Sequence, residues 1–134
     1  MKILIADELP QDKIEVLREK GYECIVEPDL KAEQIPEKIS GIEILVVRST
    51  KVISEVFDKS DCLGLVVRSG AGINTIDCQG AADSGIYVCN VPGTNSIAVA
   101  ELTMGLMIAV DRHIPSATAL SLIHISEPTR PLYI

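Results

Sequence analysis

Apolar residues occur in this chain as short runs separated by segments with helical spacing. Residues 2–6, 23–26, 44–47, 64–67 and 86–89 form runs of four or five mostly apolar residues and read as strands. Between the first two, residues 10–20 place Ile14 and Leu17 on one helical face and stop at Gly21. Residues 31–40 have Ile35 and Ile39 four apart, with Pro36 required to sit in the first turn and Gly41 as the stop. Residues 53–60, with Val56 and Phe57 inward, and residues 74–84, ending at Gly85, complete the set. Strands this short, alternating with single helices, imply βαβ units, right-handed crossovers and a mostly parallel sheet. The predicted fold is α/β: a flavodoxin-like, doubly wound parallel sheet over residues 1–93.

After Pro92-Gly93 the pattern changes. Residues 94–112 read as one long helix, capped by Thr94, Asn95 or Ser96 and apolar nearly all round from Ile97 to Ala109. Such a helix requires burial on several sides, so a second domain or subunit is expected to cover it. Glu101 on it reads as an interface residue.

Composition agrees with buried parallel strands: Ile, Val, Leu and Ala dominate, with one Phe and no Trp among 134 residues. A net charge of −7 argues against nucleic-acid binding, which needs clustered Lys and Arg. The longest apolar run is too short for a bilayer, and no leader is expected ahead of the first strand. Cys24, Cys62, Cys78 and Cys89 lack metal-site spacing and read as buried free thiols, which suits a reducing cytoplasm.

In an open parallel sheet, ligands bind beyond the strand C-termini. Three loops fall there: Arg48-Ser49-Thr50, Arg68-Ser69-Gly70-Ala71-Gly72-Ile73-Asn74, and the segment from Asn90 to Ser96. They offer two guanidinium groups, hydroxyls, glycine amides, Asn95 and a helix N-terminus, a donor set suited to carboxylate or phosphate. Gly70-Ala71-Gly72 begins like a dinucleotide fingerprint but has Thr75 at the last glycine position, and Asn90-Val91 where a ribose-binding acid belongs. It is rejected as one. Asp7-Glu8 invites a metal reading and reads instead as a pair of inert loop carboxylates; no metal site is expected. His113 and His124 have no carboxylate at a spacing that suggests a dyad, so no catalytic residue is assigned.

Four blocks together resemble a known family. They are Val47-Arg48-Ser49-Thr50-Lys51-Val52, the stretch Val67 to Asp77, the stretch Ala81 to Asn90, and Pro92-Gly93-Thr94-Asn95-Ser96 with Ala100-Glu101. Over about residues 1–119 the chain resembles the D-isomer-specific 2-hydroxyacid dehydrogenases, most of all the phosphoglycerate dehydrogenase branch. The resemblance implies hydride exchange between NAD and a small 2-hydroxy acid, D-3-phosphoglycerate in that branch, within serine biosynthesis. It implies that Arg48 and Ser49 contact the phosphate or side-chain end, and that the amides around Ser69, Gly70 and Gly72 receive the carboxylate. Ala71 then sits near the nicotinamide and Asn95 lines the cleft. The family's dinucleotide fingerprint and its catalytic Arg, Glu and His match nothing here. The chain is therefore read as an N-terminal piece, inactive alone and not holding NAD tightly, of an enzyme expected to be a homo-oligomer. The long helix is read as the one opening the absent cofactor domain.

Leu120 to Arg130 resembles the conceptual translation of a common sequencing adapter, so residues 120–134 are expected to be non-native. Two other readings share the fold. A phosphorylation-switched receiver needs an Asp where Arg48 stands and a Lys near Val91-Pro92; a non-catalytic binding module should not end in a nearly all-apolar helix.

Overall fold

Five parallel strands in the order β2-β1-β3-β4-β5 carry the short apolar runs, with β1 at Lys2–Ile5, β2 at Glu23–Val26, β3 at Ile44–Val47, β4 at Leu65–Arg68 and β5 at Tyr87–Asn90. This is the strand order of flavodoxin-type sheets, with its switch point between β1 and β3. The computed structural model describes residues 1–122, which divide into two units at Thr94/Asn95.

The last two strands begin one residue later than the pattern suggests. The Ile86 amide is tied back to the Ala81 carbonyl in the turn after residues 78–83, while Gly64 makes cross-strand bonds with Glu43 and Tyr87 just ahead of the paired residues. The shift makes Arg68 and Asn90 the last residues of their strands, paired with each other across β4 and β5.

Helix α1 (Gln11–Glu19) ends where Gly21 takes a φ of +87° and the Tyr22 amide returns to the Leu17 carbonyl. The second predicted helix is broken in two: a 3₁₀ turn at Ala32–Gln34, then α2 at Ile35–Lys38. Pro36 lacks an N–H and fits only a first turn, which Gln34 prepares by accepting the Lys31 amide on its side chain. Helix α3 spans Ser54–Asp58, and α4 spans Cys78–Asp83 rather than starting at Asn74. Residues before α4 are held extended instead, because Val52 bridges to Ile76 and exchanges bonds with Thr75 and Asp77. Asp77 then caps α4 by accepting the Gly80 amide.

The two sheet faces are covered unequally. Helices α2, α3 and α4 bury Leu4, Leu45, Val47, Val56, Phe57, Val66 and Ala81 on one face. On the other, α1 covers Ile3, Ile5 and Ile14. Tyr87 on β5 is 77% exposed, and Leu65 and Val67 are only half-buried. None of the four free cysteines is fully buried, contrary to the sequence reading; Cys62 and Cys89 are exposed. Cys62 lies in the connection between residues 58 and 65 and Cys89 on the edge strand β5, neither of which the core covers.

One turn carries a pH signature. Asp61 accepts the Gly41 amide (2.8 Å) and the Ser40 hydroxyl (3.0 Å). The Gly41 amide, then the Cys62 and Ser40 side chains, hold its carboxyl below the ordinary value of 3.8. A depressed carboxyl contributes stability present above its unfolded value and lost as pH falls through the lower folded one. Asp61→Asn is therefore expected to flatten the acid limb of a melting-temperature profile below about pH 4 and to leave the neutral region's slope unchanged. An identical acid limb in the variant would refute this.

In the second unit, α5 spans Ser96–Asp111 and α6 spans Ile114–Leu122. Asn95 is the N-cap of α5, but neither it nor a neighbour supplies a side-chain capping bond. Leu102, Met104, Leu106 and Met107 are exposed, and α5 has no buried residue among those described; Glu101 is exposed with them. Helix α6 was not legible in the sequence, though Pro115 in its first turn is a start signal. His113, at φ +54°, separates the two helices. Residues 120–122 close α6; the rest of the segment expected to be non-native lies outside the described residues.

Candidate functional site

The C-terminal ends of β1, β3, β4 and β5 bring Asp7, Arg48-Ser49-Thr50, the Arg68–Asn74 turn and Asn90 together at one edge of the sheet. The turn after β4 owes its shape to three consecutive carbonyls that are each bound inward. The Gly70 carbonyl accepts the Val91 amide (3.0 Å), Ala71 accepts the Asn90 side-chain amide (2.7 Å), and Gly72 accepts Arg68 Nη1 (2.6 Å). In a trans peptide the next N–H points opposite to the carbonyl. The amides of Ala71, Gly72 and Ile73 are thereby turned away from the protein, and among the described residues none has an acceptor. Three successive exposed amides without a partner are donors open to an anion.

This placement corrects part of the sequence reading. The amides of Ser69 and Gly70 are already used, donating to the Val47 carbonyl (2.7 Å) and the Arg68 carbonyl (2.8 Å). The available donors start at Ala71. The two glycines also differ: a Cβ at Gly70 would meet Arg68 Nη1 at 3.5 Å, an ordinary contact, whereas at Gly72 it would meet Arg68 Nη1 and Asn74 Oδ1 at 3.0 Å each. Gly72 is the tighter of the two, and a side chain there would have to push the Arg68 and Asn74 side-chain ends back by a few tenths of an ångström.

Arg68 is a structural tie rather than a free cation. Its Nε donates to the Arg48 carbonyl (3.2 Å) while Nη1 holds Gly72, so one planar guanidinium couples the β3 and β4 loops. Arg48 and Ser49 have exposed side chains at the neighbouring strand end. Among the described residues neither Arg48 nor Arg68 has a carboxylate within ion-pair distance.

Two residues were missed. Asn90 stands in the third candidate loop without a role of its own in the sequence; its side-chain amide donates to the Ala71 carbonyl and buttresses the turn. Asp7, read as an inert loop carboxylate, accepts the Arg48, Ser49 and Thr50 amides on Oδ2 at 2.7, 3.1 and 3.1 Å. Its position at the end of a central strand was the available signal, since carboxylates there face the neighbouring loop.

The residues described do not form a pyrophosphate site. The turn after β4 does not lead directly into a helix, and the six-residue α4 already has the Asp77 carboxylate at its N-terminus. No group of three or more His, Cys, Asp or Glu among the described residues has a metal-binding arrangement, and no described helix is long and apolar enough to cross a membrane. Asn95 lies in the second unit, as the N-cap of α5.

The chain is thus a parallel α/β sheet with hydrogen-bond donors at its strand ends, and the sequence comparisons specify its family. Residues 3–129 match the model of the D-isomer specific 2-hydroxyacid dehydrogenase catalytic domain, and the chain belongs to that family. It is 48% identical over 120 residues to the D-3-phosphoglycerate dehydrogenase of Methanocaldococcus jannaschii, covering 89% of this chain and 23% of that protein. With the D-3-phosphoglycerate dehydrogenase of Archaeoglobus fulgidus it shares 37% identity over 118 residues, 87% of this chain and 22% of the relative. The chain thus spans less than a quarter of the length of these relatives. Among solved structures, the NAD⁺-bound 3-phosphoglycerate dehydrogenase of Entamoeba histolytica superposes with a TM-score of 0.71 at 32% identity, over 81% of this chain and 38% of that one.

Proposed function

We propose that this chain is the substrate-holding part of an NAD-dependent 2-hydroxyacid dehydrogenase whose acid carries a phosphoryl group, with D-3-phosphoglycerate as the substrate and serine biosynthesis as the setting. The observation that carries this reading is the row of outward amides at Ala71, Gly72 and Ile73, set beside the exposed Arg48 and Ser49. The amides receive the substrate carboxylate; the Arg48 guanidinium and Ser49 hydroxyl receive the phosphate. Ser69 and Gly70 shape the turn. Ala71 borders the nicotinamide, and Asn95 lines the cleft from the start of the next domain. The relatives' names support the substrate, and the neighbour's NAD⁺ supports the cofactor.

NAD, held by residues of the parent enzyme outside this chain, supplies the hydride acceptor. The chain's own contribution is to orient the acid, and by itself it binds NAD weakly and does not turn over. Residues 1–93 form the substrate domain and 94–112 the inter-domain helix, whose exposed apolar side chains are covered in the intact, oligomeric and cytoplasmic protein. Residues 120–134 are non-native in origin.

Titration of the ¹⁵N-labelled chain with D-3-phosphoglycerate tests the reading. Half a cleft is expected to bind in the millimolar range, about −4 kcal/mol, with shifts concentrated at the amides of Arg48, Ser49, Ala71, Gly72 and Ile73. Saturable shifts elsewhere, or none, would overturn it.

A further inference from the structure

We propose that Asp7 is a positioning residue for the phosphate end of the substrate. It acts as an internal anion that orders the Arg48-Ser49-Thr50 loop. The proposal rests on the substrate reading above and assigns a role to a carboxylate that touches no substrate in it.

The amides after β3 look like a second anion cradle, but Asp7 Oδ2 already takes all three. A phosphate arriving there is met by side chains only. The backbone of Arg48 is held at both ends: its N–H by Asp7 and its carbonyl by Arg68 Nε. That double tie sets the direction in which the Arg48 side chain leaves the loop, so binding orders the side chain alone and not the backbone beneath it. Bonds to an ionised acceptor are roughly twice as strong as neutral ones, so the charge of Asp7 as well as its shape contributes to the order.

Charge alone makes the opposite forecast. A carboxylate beneath Arg48 lowers the local positive potential, so removing it should tighten a phosphate if Coulomb attraction were all that mattered. Because the three amides converge on one oxygen, the Asp7→Asn carbonyl can still accept them, more weakly, whereas Asp7→Ala offers nothing.

Wild type, D7N and D7A chains are titrated with D-3-phosphoglycerate and with D-glycerate, the same acid without the phosphoryl group, and hydrogen exchange of the amides at 48–50 is followed. For the phosphorylated acid, D7N is expected to weaken binding about threefold and D7A about tenfold, with D-glycerate within about twofold throughout. Exchange at 48–50 should be faster in D7N than in wild type. If D7A does not fold, D7N decides by both readouts. Unchanged or tighter binding of the phosphorylated acid in D7N overturns the proposal, as does equal weakening for D-glycerate. Wild-type chain that binds neither acid overturns the substrate reading itself, and this role with it.

Discussion

Phe57→Ala is expected to cost the first unit about 3–5 kcal/mol. Phe57, the chain's single phenylalanine, is 4% exposed in α3, and its ring faces α4 so closely that a Cβ at Gly80 would lie 3.3 Å from Cδ2. Removing the ring forfeits its transfer energy and leaves a cavity between two helices that cannot close it cheaply. Domains of this size hold only about 5–15 kcal/mol in all, so the variant should sit near the edge of folding. Urea unfolding followed by circular dichroism measures it. A loss below about 1.5 kcal/mol would mean that α3 and α4 collapse onto the vacancy and that the ring does not set their spacing. Tyr87→Ala, at 77% exposure, is the control and should change stability by less than about 0.5 kcal/mol.

Arg68→Leu should weaken both D-3-phosphoglycerate and D-glycerate by about tenfold or more, which separates it from the Asp7 variants. The guanidinium holds the Arg48 carbonyl and the Gly72 carbonyl at once, so its loss frees the loop at the phosphate end and the turn at the carboxylate end. Stability should fall by only about 1–2 kcal/mol, since water can reach both carbonyls. Arg68→Lys restores a charge but not a planar fork spanning two acceptors, and is expected to recover only part of the affinity. Amide titration of the three chains is the measurement. Full recovery by lysine would show that charge, not the two-point tie, is what matters.

The five strands, the α/β class and the sheet edge that carries the donors were legible because they depend on local regularities. A short, mostly apolar run that follows a glycine helix stop, as residues 23–26 follow Gly21, is a strand signal carried by the local sequence. The family was legible for a related reason, since four ordered blocks are hard to assemble by accident. Element starts were less so. The α4 start moved from Asn74 to Cys78 because Ile76 found a better place bridging Val52 than in a helical turn, a partner more than twenty residues away. Helix α6 was hidden by apolar residues with little facial bias.

At the site, the chain by itself determined which residue types stand at each strand end: two arginines, a glycine pair, hydroxyls and a carboxylate. Only the tertiary structure decided which of their groups remain free. It took the Ser69 and Gly70 amides into bonds with Val47 and Arg68, turned the next three outward, converted Arg68 from a candidate ligand contact into a tie, and placed Asp7 in the cradle after β3. The physical reason is that donor identity is a property of a residue. Donor availability is set by the finished turn and by partners from other strands, as where Asp7 reaches Thr50 across 43 residues, a separation that no local pattern records.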